Sequence, residues 1–393
     1  MPHVTRNAPL LRVNAAIFLG LPLAALVLVP WWGLSHGYSG AQWAWAVAFL
    51  YLNGLAITGG YHRLWAHRAY RAHWALRLWY ALWGAGALQN SVLVWASDHR
   101  RHHRHVDDDG RDPYSAGRGL WFSHLGWMLR DYPTNREDFS NVPDLLRDPI
   151  LCWQHRHYVA LTTAMNAGLP LLLGLVLGDP LGTLLLVGLL RLVLNHHVTF
   201  LINSLAHYWG SQPYTESNSA RDNGFLAFLT YGEGYHNFHH LFQHDYRNGV
   251  RWYHWDPTKW MIAACARLGL ARDLRREPAF RIQRARLAAQ FERARRSLPV
   301  HDAGAPLRAR LEREYQLFTV AVGQWKELQA TRYERRLHAI EDAVDEQRLA
   351  LQQRWERAAL RARLRELEET LKLQQKRLGL LLAQLRAARA LSP

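Results

Sequence analysis

The sequence predicts an all-α membrane protein in which four transmembrane helices precede long, charged helices in the C-terminal third. Of its 393 residues 49% are hydrophobic, yet the mean hydropathy is negative, so an apolar part and a charged part share one chain. Several stretches of roughly 20 residues are apolar enough to span a bilayer. Residues 324–378 contain neither glycine nor proline, which favours long helices. This composition excludes a disordered chain and a collagen-like repeat.

Four apolar stretches are each long enough to cross roughly 30 Å of hydrocarbon. They lie at 13–35, 41–61, 158–178 and 181–205. The loops within each pair are short and lack basic residues, whereas the N-terminus, the 62–156 segment and the residues after His207 are rich in arginine. Positive charge collects on the cytoplasmic side, so both termini and the middle segment are predicted to be cytoplasmic. A cleaved signal peptide is the alternative for the first stretch, but no small-residue cleavage pattern follows it.

A fifth stretch, at 78–97, also lacks formal charge. If it crossed the bilayer, the histidines before it and after it would lie on opposite sides of the membrane. The stretch is therefore predicted to be a helix that packs against the cytoplasmic face or dips into it.

Histidine, not cysteine, is the residue type that indicates a metal site. The only cysteines, Cys152 and Cys265, are far apart in sequence, which excludes a disulfide framework and a cysteine-based zinc module. By contrast the chain has 22 histidines, many of them in short clusters. Clustered imidazoles are typical of transition-metal sites.

Three histidine clusters have spacings that place side chains on a common helical face, one as H-x4-H and two as H-x2-HH. Their members are His62, His67, His99, His102, His103, His236, His239 and His240. Each H-x2-HH cluster can aim two imidazoles at one point and the third at a neighbouring point. Eight nitrogens are more than one ion accepts, so a dinuclear site is predicted, and Fe, Zn, Cu and Ni all suit imidazole. Histidines outside the clusters, such as His73 and His244, are interpreted as structural.

These runs carry a family resemblance. They read HRLWAHRAY at 62–70, DHRRHH at 98–103 and GEGYHNFHH at 232–240, with NSLAHYWG at 203–210. In this order and spacing they resemble the membrane fatty-acyl desaturases, specifically the acyl-CoA type that acts at the ninth carbon (the stearoyl-CoA type). The likeness extends over roughly 40–275.

The resemblance implies four transmembrane helices under a cytoplasmic helical cap that holds two non-haem irons. It implies a ninth histidine ligand, His207, and an asparagine, Asn203, that reaches a metal through water. It also implies the lining of an acyl tunnel. The tunnel residues are Gln89, Trp95 and Thr199 at the bend, and Leu50 and Gly54 at the closed end.

Two carboxylates lie next to the clusters in sequence. Asp98 directly precedes His99, and Glu233 precedes the third cluster. Both are predicted to accept imidazole N–H groups and so to orient the metal ligands. A solvated surface acid is the alternative for each.

The activity implied by the resemblance is O2-dependent insertion of a cis double bond at the delta-9 position of a saturated long-chain acyl-CoA, in unsaturated fatty acid biosynthesis. No His-Pro-Gly-Gly haem motif occurs in the sequence, so a separate electron-donor protein, of ferredoxin or flavin-reductase type, is expected. The expected location is a bacterial inner membrane, with the active site in the cytoplasm. Tyr114, Ser115 and Ser97 depart from the family pattern, which leaves an acyl-lipid substrate as an alternative.

Two other functions remain open at this stage. A membrane fatty-acid or alkane hydroxylase uses similar histidine clusters but ends in a C–OH bond. A different class is a membrane scaffold whose histidines hold a structural zinc and whose C-terminal helices bind the partner.

The C-terminal third is strongly basic, with 28 Lys and Arg against 16 Asp and Glu from Arg267 to the end. A seam with steps of three and four residues predicts a coiled-coil-like extension at 324–393. The seam residues are Leu360, Leu364, Leu367, Leu371, Leu378, Leu381 and Leu385, interrupted by Gln374. The predicted organisation is a desaturase domain at 1–275, a basic linker at 276–323 and this extension. Homo-oligomerisation through these helices, docking of a redox partner and a solvated accessory helix are alternatives, whereas nucleic acid is not an expected partner.

Overall fold

The structure is a computed structural model that describes residues 8–297, 305–341 and 348–390, and this part of the chain is almost entirely helical. The main helices, numbered in chain order, are α1 Arg12–Ser35, α2 Gly40–Ala66, α3 Trp74–Ala85, α4 Val92–His105, α5 Pro149–Arg156, α6 Tyr158–Leu177, α7 Pro180–His207, α8 Gly224–Leu229, α9 His236–Leu241, α10 Pro257–Arg267, α11 Ala279–Arg296, α12 Ala305–Glu341 and α13 Arg348–Ala390. Short helical turns lie at Ala116–Arg118, Phe122–Gly126, Trp127–Leu129 and Pro133–Asn135. Two two-residue strands, β1 Arg71–Ala72 and β2 Ala271–Arg272, pair antiparallel.

Four helices, α1, α2, α6 and α7, are long and apolar enough to cross a membrane, which confirms the four predicted spans. Large apolar side chains on them point outward; Leu26 is 74% exposed and Val176 is 83% exposed. An apolar surface of this extent is unfavourable in water and suits contact with lipid.

Each membrane hairpin has a turn that is closed by local hydrogen bonds. One carboxylate also links the two hairpins to each other. The Ser39 hydroxyl accepts from Gln42 N at 3.2 Å and the Gln42 side chain accepts from Ser39 N at 2.7 Å, a capping box that begins α2. At the other turn Asp179 caps α7 by accepting from Gly182 N at 2.8 Å. Asp179 Oδ2 also accepts from Trp32 Nε1 at 3.2 Å and Gln42 Nε2 at 2.9 Å, so one side chain joins both hairpins.

Helix α2 changes its winding where it approaches the histidine clusters. Its last stretch, Ala56–Ala66, is π-helical and completely buried. There α3 packs directly on the α2 backbone, because a methyl group at Gly60 would lie only 2.6 Å from Tyr80 Cβ. Such π-helical segments often mark functional sites.

The stretch at 78–97, predicted as one helix, is instead two. Helix α3 ends at Ala85 and α4 begins at Val92, with 12 and 14 residues respectively, both too short to cross a bilayer. The chain turns between them with Leu88 at φ +50° and Asn90 at φ +73°, backbone angles that a helix does not contain. Neither position is a glycine, so the sequence pattern hides the break.

The chain divides into two compact units. The first comprises Met1–Gln212 and Ser217–Arg276, and the second comprises Pro213–Glu216 and Glu277–Pro393. Long C-terminal helices were predicted and are confirmed as α12 and α13. The parts of the predicted extension at 342–347 and 391–393 lie outside the described residues.

The segment predicted as a basic linker, 276–323, is mostly helical where the structure describes it. Its described part consists mostly of α11 and the beginning of α12. Buried residues recur on α11 at helical spacing, at Phe280, Leu287, Phe291 and Ala294, and form one core with residues of α12 and α13. The arginines that suggested a linker occupy the other faces of α11. The seam of α13 therefore fills the core of three helices within one chain.

Candidate metal centre

Nine histidines from four helices converge in the first unit. Helix α2 supplies His62, and His67 follows directly at its end; α4 supplies three, the end of α7 one and α9 three. They form two groups, within each of which the nearest ring nitrogens lie within 4.8 Å of one another. The first group is His62, His67, His99, His103 and His239, and the second is His102, His207, His236 and His240.

Helical spacing divides the ligands between the groups. His99 and His103, four residues apart on α4, join the first group, while His102 between them joins the second. On α9 the division is reversed, since His236 and His240 join the second group and His239 joins the first. Side chains four apart share a helical face, so each H-x2-HH cluster serves two neighbouring points.

The distances between ring nitrogens fit two metal ions. Two nitrogens that each lie about 2.1 Å from one ion, at right angles, are about 3 Å apart. The Nε2–Nε2 distances are 3.0 Å for His62–His239, 2.8 Å for His67–His99, 2.9 Å for His103–His239, 3.1 Å for His207–His236, 3.1 Å for His236–His240 and 3.4 Å for His102–His240. A dense set of buried imidazole nitrogens at these separations is a donor set for metal cations.

The opposite ring nitrogens of several histidines meet acceptors. His102 Nδ1 donates to both Asp112 oxygens at 2.9 Å. Ser219 Oγ donates to Asp107 at 2.6 Å and accepts from His207 Nδ1 at 2.8 Å. These contacts hold the proton on Nδ1 and leave Nε2 free to bind a metal.

Burial keeps six of the imidazoles neutral. It lowers the pKa of six histidines outside the membrane spans well below 6.5, and neighbouring imidazoles lower the pKa further. The six are His67, His99, His103, His236, His239 and His240. Neutral imidazole is the form that ligates metals.

Glu233 lies 2.9 Å from His62 Nδ1 and is fixed by a buried arginine. Arg63 donates to Glu233 Oε1 at 2.8 Å and to Asp256 Oδ2 at 3.1 Å, and all three side chains are almost fully buried. Asn248 Nδ2 donates to the other Glu233 oxygen at 2.6 Å. Burial by itself raises the pKa of Glu233, but His62 and Arg63 outweigh it and hold the pKa at about 2. Sequence reasoning missed Arg63, although it directly follows His62.

The contacts of Asp98 differ from those predicted for it. Its carboxylate accepts from Arg101 at 3.0 Å, whereas His99 Nδ1 lies 3.1 Å from the Tyr114 hydroxyl. Adjacent residues on a helix point in different directions, so sequence proximity to His99 did not place Asp98 against its ring. Burial raises the pKa of Asp98 to about 7. The acceptor that sequence reasoning missed is Asp112, ten residues after His102.

A cavity of about 570 Å³ opens beside the histidines, and many of the residues that line it are apolar. His62, His99 and Asn203 line it, the last one helical turn before His207. Three of the predicted tunnel residues also line it, namely Gln89, Trp95 and Thr199. Gln89 Nε2 donates to Thr199 Oγ1 at 2.9 Å, and the Trp95 ring stacks on His99 with centroids 4.8 Å apart.

The other two predicted tunnel residues, Leu50 and Gly54, lie outside the lining of this cavity. A methyl group at Gly54 would lie 2.2 Å from the Tyr231 ring, and the Leu50 carbonyl accepts from the Tyr231 hydroxyl at 3.1 Å. The assignment of Leu50 and Gly54 to the closed end of an acyl tunnel therefore stays a prediction. The loop before the third histidine cluster folds back on α2, a contact that the sequence does not reveal.

A helical membrane bundle with two groups of buried histidines defines a membrane-embedded metalloprotein. A model of the fatty acid desaturase family matches residues 41–275, and the chain belongs to that family. It is an integral membrane protein with a metal-binding site.

Curated relatives share this part of the chain. Acyl-CoA desaturase 1 of Saccharomyces cerevisiae is 45% identical over 232 residues, 59% of this chain and 45% of that protein. A probable acyl-CoA desaturase of Schizosaccharomyces pombe is 45% identical over 273 residues, 69% and 56% of the two chains. Delta(9)-fatty-acid desaturase fat-7 of Caenorhabditis elegans is 37% identical over 268 residues, 66% and 78%. The chain spans about half the length of the first two.

Proposed function

We propose that the protein is an acyl-CoA desaturase that inserts a cis double bond at the delta-9 position of a saturated long-chain acyl chain. The observation that carries the proposal is the contact between the first histidine group and a largely apolar cavity, since His62 and His99 belong to the metal centre and also line the cavity. An acyl chain in this cavity would therefore contact His62 and His99 of the metal centre. The names of the two yeast relatives support acyl-CoA as the substrate, and the name of the Caenorhabditis elegans relative supports the delta-9 position.

The proposed cofactors are two irons, one in each histidine group, with Asn203 as a further ligand through water. The nitrogen-rich donor set and the near 3 Å separations support two ions per chain. When bound, the irons supply the activation of O2, which removes hydrogen from an unactivated methylene.

The protein residues supply orientation and a dry environment. Ile57, Val94 and Phe200 form apolar walls that exclude water from the acyl chain. The Gln89–Thr199 hydrogen bond and the Trp95 ring shape the cavity next to His99. Glu233 and Asp112 hold His62 and His102 in fixed orientations, so the ligand nitrogens are positioned before any metal binds.

The proposed setting is a bacterial inner membrane with the metal centre and both termini on the cytoplasmic side. The arginine bias of the segments outside the spans supports this orientation. Two electrons per turnover come, in this proposal, from a separate donor protein of ferredoxin or flavin-reductase type.

The test is product analysis in a host that lacks its own desaturase. Membranes that contain the protein are given an isotope-labelled saturated acyl-CoA, reductant and O2, and the products are separated by mass spectrometry. The expected product has lost one hydrogen from the ninth carbon and one from the tenth, and has a double bond between them. A hydroxylated product would show the alternative hydroxylase, and an unchanged substrate with an intact, metal-loaded protein would contradict the proposal.

A further inference from the structure

One part of α2 contributes to the wall of the cavity beside the metal centre. Along this helix its lining consists of Ile57, Thr58 and His62. One turn earlier, at Gly54, the face of the helix lacks a side chain and would leave room for a longer cavity. That room is filled by a side chain from a distant part of the sequence.

Tyr231 is the residue that fills it. A methyl group at Gly54 would lie 2.2 Å from Tyr231 Cζ, so the phenol ring rests directly on the α2 backbone. Its hydroxyl donates to the Leu50 carbonyl at 3.1 Å, and its ring packs edge-on against Tyr51 with centroids 5.4 Å apart. Tyr231 is only 4% exposed.

The backbone of Tyr231 is held at the cavity wall. Its carbonyl accepts from the Thr258 hydroxyl at 2.9 Å, and the Thr258 hydroxyl lies 2.6 Å from that of Thr58, which lines the cavity. Tyr231 has φ +57°, a left-handed conformation that costs energy for a large side chain. The loop that carries Glu233 therefore holds this ring in place against α2.

We propose that Tyr231 determines which acyl chains the enzyme accepts, because its ring closes the cavity behind Thr58 and so limits chain length. This inference rests on the proposed desaturase function. The ring rests on Gly54, eight residues before the ligand His62 on α2, so in this proposal it contacts a part of the chain beyond the metal centre and sets length without setting the position of the double bond. A pocket whose size changes by even one methylene alters discrimination by roughly tenfold or more.

Three substitutions test the contribution of the ring and that of the hydroxyl. Tyr231→Gly removes the ring and suits the positive φ, Tyr231→Leu shortens the side chain, and Tyr231→Phe retains the ring as the matched control. Equimolar saturated acyl-CoA substrates of graded length compete in one assay, and both product length and double-bond position are mapped. Tyr231→Gly and Tyr231→Leu are expected to shift the ratio of long to short products at least about tenfold toward long chains. Tyr231→Phe is expected to retain the wild-type ratio.

A double variant refills the space from the other side. In the Tyr231→Gly background, Gly54→Leu is expected to return the preference to shorter chains. The rise in melting temperature that each acyl-CoA causes gives the same ranking without turnover. An unchanged length ratio and an unchanged ranking in Tyr231→Gly and Tyr231→Leu would overturn the proposal, as would a moved double bond. Absence of desaturated product from the wild type would instead contradict the proposed function.

Discussion

Glu233 connects a metal-binding histidine to the buried charges of the fold. One of its oxygens lies against His62 and the other accepts from Arg63, which in turn binds Asp256. Three buried charges are tolerated because each carboxylate meets the guanidinium and the remaining lone pairs meet N–H donors. At the residue scale, the orientation of one imidazole therefore depends on an arginine that touches no histidine nitrogen.

Replacing Arg63 with methionine should destabilise the protein strongly. The change leaves Glu233 and Asp256 buried side by side without their cation, at a cost of about 3–5 kcal/mol. The matched control is Arg71→Met, because the Arg71–Asp273 pair is largely exposed and contributes less than about 1 kcal/mol. Thermal unfolding in detergent measures both. Equal melting temperatures for the two variants would refute this account of the buried network.

Removing one ligand from each histidine group should remove one metal ion each. His103→Ala changes only the first group and His207→Ala only the second, so each variant is expected to hold about half the metal of the wild type and to lose activity. His73→Ala is the control, because His73 is exposed and caps α3. Metal analysis of protein purified from iron-rich, zinc-poor cultures decides the point. A wild type with one ion or none per chain would contradict a dinuclear centre.

At the scale of elements, a single helix supplies histidines to both metal-binding groups. Helix α4 sends His99 and His103 to one group and His102 to the other, and α9 makes the complementary division. The two helices therefore tie both groups together, and neither group can form without them. In the second unit a different pattern operates, since the seam of α13 packs against α11 and α12 to form an apolar core.

Two leucines of α13, two positions apart, provide a direct test of that core. Leu371 is fully buried and Leu373 is 55% exposed. Leu371→Ala should destabilise the second unit by about 2–5 kcal/mol, because it leaves a cavity, whereas Leu373→Ala should cost less than about 1 kcal/mol. Amide hydrogen exchange along α11–α13 reports the difference. If both variants exchange like the wild type, the core does not stabilise these helices.

At the scale of the whole molecule, the features that the sequence predicts are those set by local rules. Bilayer thickness imposes long apolar stretches, so the four spans are visible, and helical periodicity makes the histidine clusters visible. The break between α3 and α4 is not visible, because non-glycine residues adopt its positive φ angles. Asp112 and Tyr231 owe their contacts to the tertiary fold, and no local pattern marks them.

The metal-free protein should lose stability as the pH falls. In the unfolded chain the six buried imidazoles have the ordinary pKa near 6.5, and in the fold their pKa is lower. Above about pH 6.5 neither the folded nor the unfolded chain binds these protons. Below about pH 6.5 the unfolded chain binds more protons than the folded one, and the free energy of unfolding falls by up to about 1.4 kcal/mol per pH unit for each histidine. Asp98, with its pKa raised to about 7, acts in the opposite direction as a single group.

Thermal unfolding of the metal-free protein at about pH 8 and about pH 5.5 measures this effect. A lower melting temperature at the acidic pH is expected for the wild type and equally for His73→Ala. An unchanged or higher melting temperature would mean that the folded protein accommodates these protons.

The hydrogen bonds of the Asp179 carboxylate determine when the two hairpins can come together during translation. Its donors Trp32 and Gln42 are made 147 and 137 residues earlier, so the first hairpin reaches the bilayer long before its partner exists. The Ser39 capping box is local, and it can close that hairpin while the ribosome is still translating. The side-by-side arrangement of the two hairpins must wait for the fourth span to be inserted. Gln42, only 3% exposed in the fold, is then shielded from water, and Asp179 joins the two hairpins only after the first has been made.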